Sequence, residues 1–290
     1  MPKSVLSQRL PRPSLEGLAM VTSFNFHWKQ TVTKMSKVKV LVIRAPGTNR
    51  DGEAVFAFEK AGAEVTLAHV NQLIRGECGL FDYQIFAIPG GFSYGDDIAS
   101  GRVLANELKL KFGQDIPKYI DDGRLVFGIC NGFQVLVKAG ILPRVNKGEM
   151  PRVTLTNNDS GKFECRWVHL GVNQKSPCVF TKGMESMYVP VAHGEGKFAG
   201  DLKAITEKNI AVYYTDEQGD RNASYPFNPN GSVQNIAGIC DDSGRVFGLM
   251  PHPEDHILVT QHPQWTRLGL KKGGNAFPLF QNAVKFAKSI

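Results

Sequence analysis

A chain of 290 residues, 42% hydrophobic and 21% charged, suits one large α/β domain with a substantial core. No apolar run approaches the roughly 18–20 residues needed to cross a bilayer, so a soluble protein without membrane partners is expected. The formal charge of +7 hints at nucleic acid, but residues 1–37 hold Lys3, Arg9, Arg12, Lys29, Lys34 and Lys37 against Glu16 alone, and the body from residue 38 is left at +2, without the clustered Lys and Arg that phosphate contacts require.

Residues 1–36 are mildly basic, carry Ser, Thr and Pro, and lack a strong period. The stretch around Leu18–Phe26 is too interrupted for a secretory h-region, and Met35 stands just before the first strand as a natural start. They are expected to be a disordered or non-native extension, with the folded domain over 37–290. From residue 38 the texture changes. Val38–Ile43 is a continuous apolar run, predicted as a strand buried on both faces. Helical spacing over Asn49–Gly62 follows, ending at a glycine suited to a C-cap. Strands are predicted at Glu64–Val70, Tyr83–Ile88 and Leu125–Ile129, and helices over Ala99–Phe112, Ile116–Ile120 and Gly132–Ala139. This alternation implies an α/β fold with a mostly parallel sheet flanked by helices. Ligands of such sheets gather at the carboxyl ends of the strands. The two most unusual loops, 89–97 and 130–134, both sit there. From Val153 onward, short runs between turn signals predict added antiparallel strands in the second half. Val246–Met250 then returns as a buried strand, and Ala276–Ser289 closes as a helix. The cysteines (Cys78, Cys130, Cys165, Cys178, Cys240) are odd in number, widely spaced and without a CxxC. That suggests neither disulfides nor a zinc ribbon, and fits thiols in a reducing cytosol.

Three constellations carry chemistry. Gly128-Ile129-Cys130-Asn131-Gly132-Phe133-Gln134 joins a buried strand to a helix, as a nucleophile elbow with cysteine in the serine's place. Glycines two residues either side permit the sharp turn, and the helix N-terminus favours a thiolate. A lone cysteine after an apolar strand is more often a small core residue, but the paired glycines reverse that preference. The second constellation, His252-Pro253-Glu254, offers an imidazole to shuttle protons and a carboxylate to orient it. A metal site built from His252, Glu254, Asp255 and His256 is the rival, disfavoured because Pro251 and Pro253 oppose a regular helix through His252. The order cysteine, histidine, acid differs from the nucleophile, acid, histidine order of α/β-hydrolases. The third, Pro89 through Asp97 (PGGFSYGDD), lacks the GK[ST] and GxGxxG of phosphate loops. It reads instead as a source of a second oxyanion amide.

Together PGGFSYGDD, GICNGFQ and PHPE resemble the class I (triad) glutamine amidotransferases, over residues 38–289. Within that family, APGTNR at 45–50, GFSYGD at 91–96, FECRW at 163–167, PVAHGEG at 190–196 and YPFNPNGS at 225–232 are similar to the glutaminase components of phosphoribosylformylglycinamidine synthases. The resemblance implies a flavodoxin-like amidotransferase fold. It implies Cys130 as nucleophile, His252 as base and Glu254 as orienting acid. Gly91 and Asn131 match the oxyanion hole, and Gln134, His193 and Glu195 the glutamine-binding segments. It further implies that the chain releases ammonia from glutamine for a large synthetase subunit, with a small bridging subunit alongside. ATP and Mg would then act on that partner, with no cofactor or metal in this chain. Asp255 follows Glu254 where relatives often have a basic residue, so two carboxylates stand as candidates to orient His252. The alternatives are the glutaminase of another amidotransferase, a cysteine peptidase-like relative, and a non-catalytic flavodoxin-like binding module.

Overall fold

The computed structural model describes residues 37–144, 153–269 and 273–290. The extension expected at 1–36 lies outside them. The first apolar run forms strand β1 (Lys39–Arg44), whose central Val40–Ile43 are all buried. The chain continues through α1 (Asp51–Lys60), β2 (Glu64–His69), α2 (Val70–Ile74), β3 (Ile85–Ile88), α3 (Arg102–Phe112), α4 (Asp115–Asp121), β4 (Leu125–Ile129) and α5 (Asn131–Lys138). Acids open α1 and Lys60 closes it, matching the helix dipole, and Gly62 beyond it takes φ +92°. Helix α3 starts three residues later than the spacing predicts, because Gly101 sits in the left-handed region at φ +71°. Helix α2 was not expected. His69 starts it, its Nδ1 accepting the Asn71 N–H while Gln72 caps the His69 N–H in return.

The second half supplies β5 (Val153–Thr156), β6 (Glu164–Val172), β7 (Ser186–His193), β8 (Lys197–Gly200), β9 (Ile210–Thr215), β10 (Ile236–Cys240), β11 (Val246–Leu249) and α6 (Phe277–Ala287). Nine strands make one sheet in the order β2-β1-β3-β4-β11-β10-β9-β6-β7, while β5 and β8 pair separately. Pairings from β2 to β11 are parallel, and those from β11 to β7 antiparallel. The expected antiparallel strands are present, and they extend the parallel sheet. Strand β11 joins the two halves. It runs parallel to β4 and sets its own carboxyl end beside that of β4.

Strands β4 and β11 differ between their two faces. Phe127 pairs with Phe247, both pack against Phe180, and Phe58 of α1 and Phe280 of α6 meet Phe127 edge-on. Each fully buried phenyl contributes about 1.5–3 kcal/mol of apolar burial. One residue on, Gly128 pairs with Gly248 on the opposite face. There a Cβ on Gly128 would lie 2.6 Å from Leu136, and one on Gly248 2.2 Å from the Phe133 ring. The bare glycine pair lets α5 lie directly on the sheet. None of the five cysteines forms a disulfide; Cys165 is exposed, and Cys130, Cys178 and Cys240 are buried.

Candidate active site

The end of β4 turns sharply at Cys130, whose φ of +50° is unfavourable for a residue with a Cβ. Its neighbours hold it there. The Cys130 N–H donates to the Leu249 carbonyl at the end of β11 (2.8 Å), and its carbonyl accepts the Gln134 N–H (3.1 Å) as α5 begins. A Cβ on Gly132 would fall 1.9 Å from the Ile88 carbonyl oxygen, so only glycine fits. The Cys130 sulfur lies 3.8 Å from the Ala192 carbonyl on β7, and the residue is almost wholly buried.

The chain leaving β11 brings His252 to this turn. The His252 N–H donates to the Pro190 carbonyl (2.8 Å), and Pro253 opens a 3-10 turn over Pro253–His256. The turn carries the Glu254 carboxylate back to His252, with Oε1 at 2.7 Å from Nδ1. Both residues are buried, Glu254 completely. Burial opposes an imidazolium here, but the Glu254 carboxylate and the Cys130 sulfur outweigh it and hold the His252 pKa well above the usual range. His252 Nε2 has no hydrogen-bond partner among the described residues, which leaves it free for the thiol. Gly90 fits between the two groups: a Cβ there would lie 2.7 Å from His252 Cε1 and 3.5 Å from Cys130 Cβ.

Of the two candidate orienting acids, the geometry selects Glu254. Asp255 turns to Arg50, with both oxygens 3.3 Å from the guanidinium. Of the four residues considered for a metal, His252, Glu254 and Asp255 converge, with donor atoms within 4.8 Å of one another. His256 does not join them; its Nδ1 faces the Tyr188 carbonyl at 2.6 Å. A metal on His252 Nδ1 would have to displace the Glu254 hydrogen bond already there.

The PGG loop leaves β3 and locks onto the 45–50 segment. Phe92 N–H donates to Gly47 O (3.0 Å) and Arg50 N–H to Gly90 O (3.3 Å). Gly91 lies between them at φ +134°, and a Cβ there would sit 2.6 Å from the Asn49 nitrogen. Its own N–H is in neither bond. The Asn131 N–H stands in the first turn of α5, where no intrahelical acceptor exists. The Asn131 side chain joins the loop to the elbow, accepting the Ser93 N–H at 3.2 Å.

Gln134, His193 and Glu195 surround this centre, mostly as scaffold. Gln134 spends its side-chain amide internally, accepting from Asn131 (3.0 Å) and donating to the Glu195 carbonyl (2.6 Å). The Glu195 carboxylate accepts the Ser100 N–H (3.2 Å), lies 3.5 Å from Lys138 Nζ, and stays partly open to solvent. His193 is sealed in: Nδ1 meets Asn158 Oδ1 at 3.1 Å, and Asn230 approaches Nε2 at 3.4 Å. Burial, with the positive His252 nearby, pushes its pKa down to about 3, so the ring is neutral. Sequence reasoning missed Lys138, Asn158 and Asn230. Lys138 resembles an ordinary cation at a helix end, yet it is buried against Glu195 and Ser100, and burial lowers its pKa despite the Glu195 charge. Asp96 binds Ser100 (2.9 Å) and Asn131 (3.0 Å), and burial raises its pKa beyond what those hydrogen bonds offset.

The chain matches the family described as CobB/CobQ-like glutamine amidotransferase domain over residues 37–287. It is 53% identical over 256 residues to the phosphoribosylformylglycinamidine synthase subunit PurQ of Dehalococcoides mccartyi, covering 88% of this chain and all of that one. To the subunit of the same name from Methanococcus maripaludis it is 44% identical, covering 86% of this chain and 97% of the relative. Among solved structures, a chain of PurLQS from Thermotoga maritima superposes with a TM-score of 0.65 at 32% identity, covering 87% of this chain and 99% of that one.

Proposed function

The chain belongs to the CobB/CobQ-like glutamine amidotransferase family, and from its relatives we infer that it is the glutaminase subunit of a phosphoribosylformylglycinamidine synthase. It is an enzyme component of purine biosynthesis that works with a synthetase subunit. Glutamine is its substrate. Cys130 attacks the side-chain amide carbon, and the N–H groups of Gly91 and Asn131 receive the developing oxyanion. His252, steadied by Glu254, protonates the departing nitrogen, and ammonia leaves a γ-glutamyl thioester. The same imidazole then activates the water that releases glutamate. Gln134 and Glu195 shape the glutamine pocket with Asn131, and His193 holds the 190–196 segment behind the sulfur.

Ammonium is not a nucleophile, so ammonia must pass to the partner without equilibrating with solvent. The partner then uses ATP and Mg to convert formylglycinamide ribonucleotide to formylglycinamidine ribonucleotide, with a small bridging subunit in the assembly. A reducing cytoplasm suits the five free thiols. No described helix is long and apolar enough to cross a membrane.

One observation carries the catalytic reading. A cysteine held at positive φ between two obligatory glycines faces a buried imidazole that is itself hydrogen-bonded to a fully buried glutamate. Replacing Cys130 with alanine tests it in the assembled synthase. Glutamine-dependent turnover should fall at least about a thousandfold while ammonia-dependent turnover persists. Loss of both activities would mean that Cys130 supports the fold and not the chemistry.

A further inference from the structure

Arg50 stands where three parts of the site meet. Its backbone N–H donates to Gly90, on the loop that carries Gly91. Its guanidinium pairs with both Asp255 oxygens and, at 3.2 Å, with Glu53. Asp255 brings a second carboxylate within 4.8 Å of the donor atoms of Glu254 and His252. Glu254 has only one of its oxygens in use. Oε1 holds His252, while Oε2 is buried with no hydrogen-bond partner among the described residues. A carboxylate that takes up a proton becomes an O–H donor, and that free oxygen is the acceptor it would seek.

We propose that Arg50 is a positioning residue of the triad, which pairs with Asp255 to keep this second carboxylate ionised and turned away from Glu254, so that Glu254 serves His252 alone. The proposal rests on the reading of Cys130, His252 and Glu254 as the catalytic triad. Four charged groups face Asp255. Burial and the Glu254 charge push its pKa up to about 6, with Glu53 adding to the rise, while His252 and Arg50 limit it. Without Arg50 the carboxyl group would be protonated nearer neutral pH. It could then donate to Glu254 Oε2 and weaken the acid's hold on the imidazole.

The test is the pH profile of glutamine-dependent kcat/KM in the assembled synthase, from about pH 5 to about pH 9. In Arg50→Met the acid limb should move up by roughly one pH unit, so that activity near pH 6 falls several-fold more than activity near pH 8. Arg50→Lys should restore most of the profile. Arg50→Gln, which removes the charge but keeps a polar side chain, gives the same readout should Arg50→Met fail to fold. In an Asp255→Asn background the limb should not respond to Arg50→Met, and ammonia-dependent turnover should be unaffected throughout. A uniform loss at every pH, or the same shift in the Asp255→Asn background, overturns the proposal and leaves Arg50 as a structural anchor. The triad reading fails separately, if Glu254→Gln or Cys130→Ala retains full glutamine turnover.

Discussion

At the scale of single residues, the site separates groups proposed to react from groups that hold, and the three histidines around it show how. His252 is buried beside the Glu254 carboxylate and the Cys130 sulfur and favours its charged form. His193 is buried among asparagines and stays neutral. His256 faces a backbone carbonyl and takes no part in the centre. The neutrality of His193 has a consequence for stability. Its folded pKa, about 3, lies below the ordinary value of about 6.5, so below pH 6.5 the unfolded chain binds a proton that the folded chain refuses. Stability should therefore fall as pH drops from about 6.5, by roughly 2 kcal/mol between pH 6.5 and pH 5 from this residue alone. Denaturant titrations at about pH 7 and pH 5 check this, with His193→Gln expected to show a shallower loss. The meeting of Cys130, His252 and Glu254 was legible in the sequence because elbow glycines and flanking prolines leave local marks. Asn158 and Asn230 were not. Asparagine beside a glycine or in a polar run reads as a turn, and nothing local reveals a ring 35 or 37 residues away that needs both of its nitrogens satisfied.

At the scale of elements, the Phe127–Phe247 and Gly128–Gly248 pairs give β4 and β11 one thick face and one bare face. The thick face anchors α1 and α6 through Phe58 and Phe280. The bare face brings α5 down onto the sheet, which aims its N-terminus, and hence Asn131, at the sulfur. Gly132→Ala should break this arrangement, since the new methyl meets the Ile88 carbonyl oxygen, a backbone atom that cannot rotate away. Overpacking of this kind costs about 1–3 kcal/mol, expected as a drop of several degrees in melting temperature together with loss of glutamine turnover. The parallel strands could be read from continuous apolar runs, and their ends were misplaced by only a residue or two. Helix α2 escaped because histidine is an unusual cap, and its first residue, Val70, reads as the apolar end of the preceding strand.

At the scale of the whole molecule, β11 does the assembling. It comes late in the chain, lies between the parallel and antiparallel parts of the sheet, and sets His252 beside a cysteine 122 residues earlier. Strand–helix alternation predicted the parallel strands and short runs between turn signals the antiparallel ones, but which strand lies beside β4 is a long-range pairing that no short window of sequence contains. The proposed division of labour between subunits yields another prediction. Chelation of divalent metal should stop product formation from glutamine and from ammonia alike, because on that proposal both need a partner that uses ATP and Mg. It should leave alkylation of Cys130 by an electrophilic glutamine analogue unchanged, as read by intact mass. Slower alkylation would instead place a metal at His252, Glu254 and Asp255. The exposed thiol on β6 has a practical use. Cys165 lies opposite Ala192 in the sheet, and the Ala192 carbonyl faces the Cys130 sulfur. A maleimide dye will find Cys165 first, so bulk thiol counts overstate the nucleophile's readiness. The same dye, seated one strand from the proposed reaction and not in it, becomes a fluorescent reporter of what arrives there.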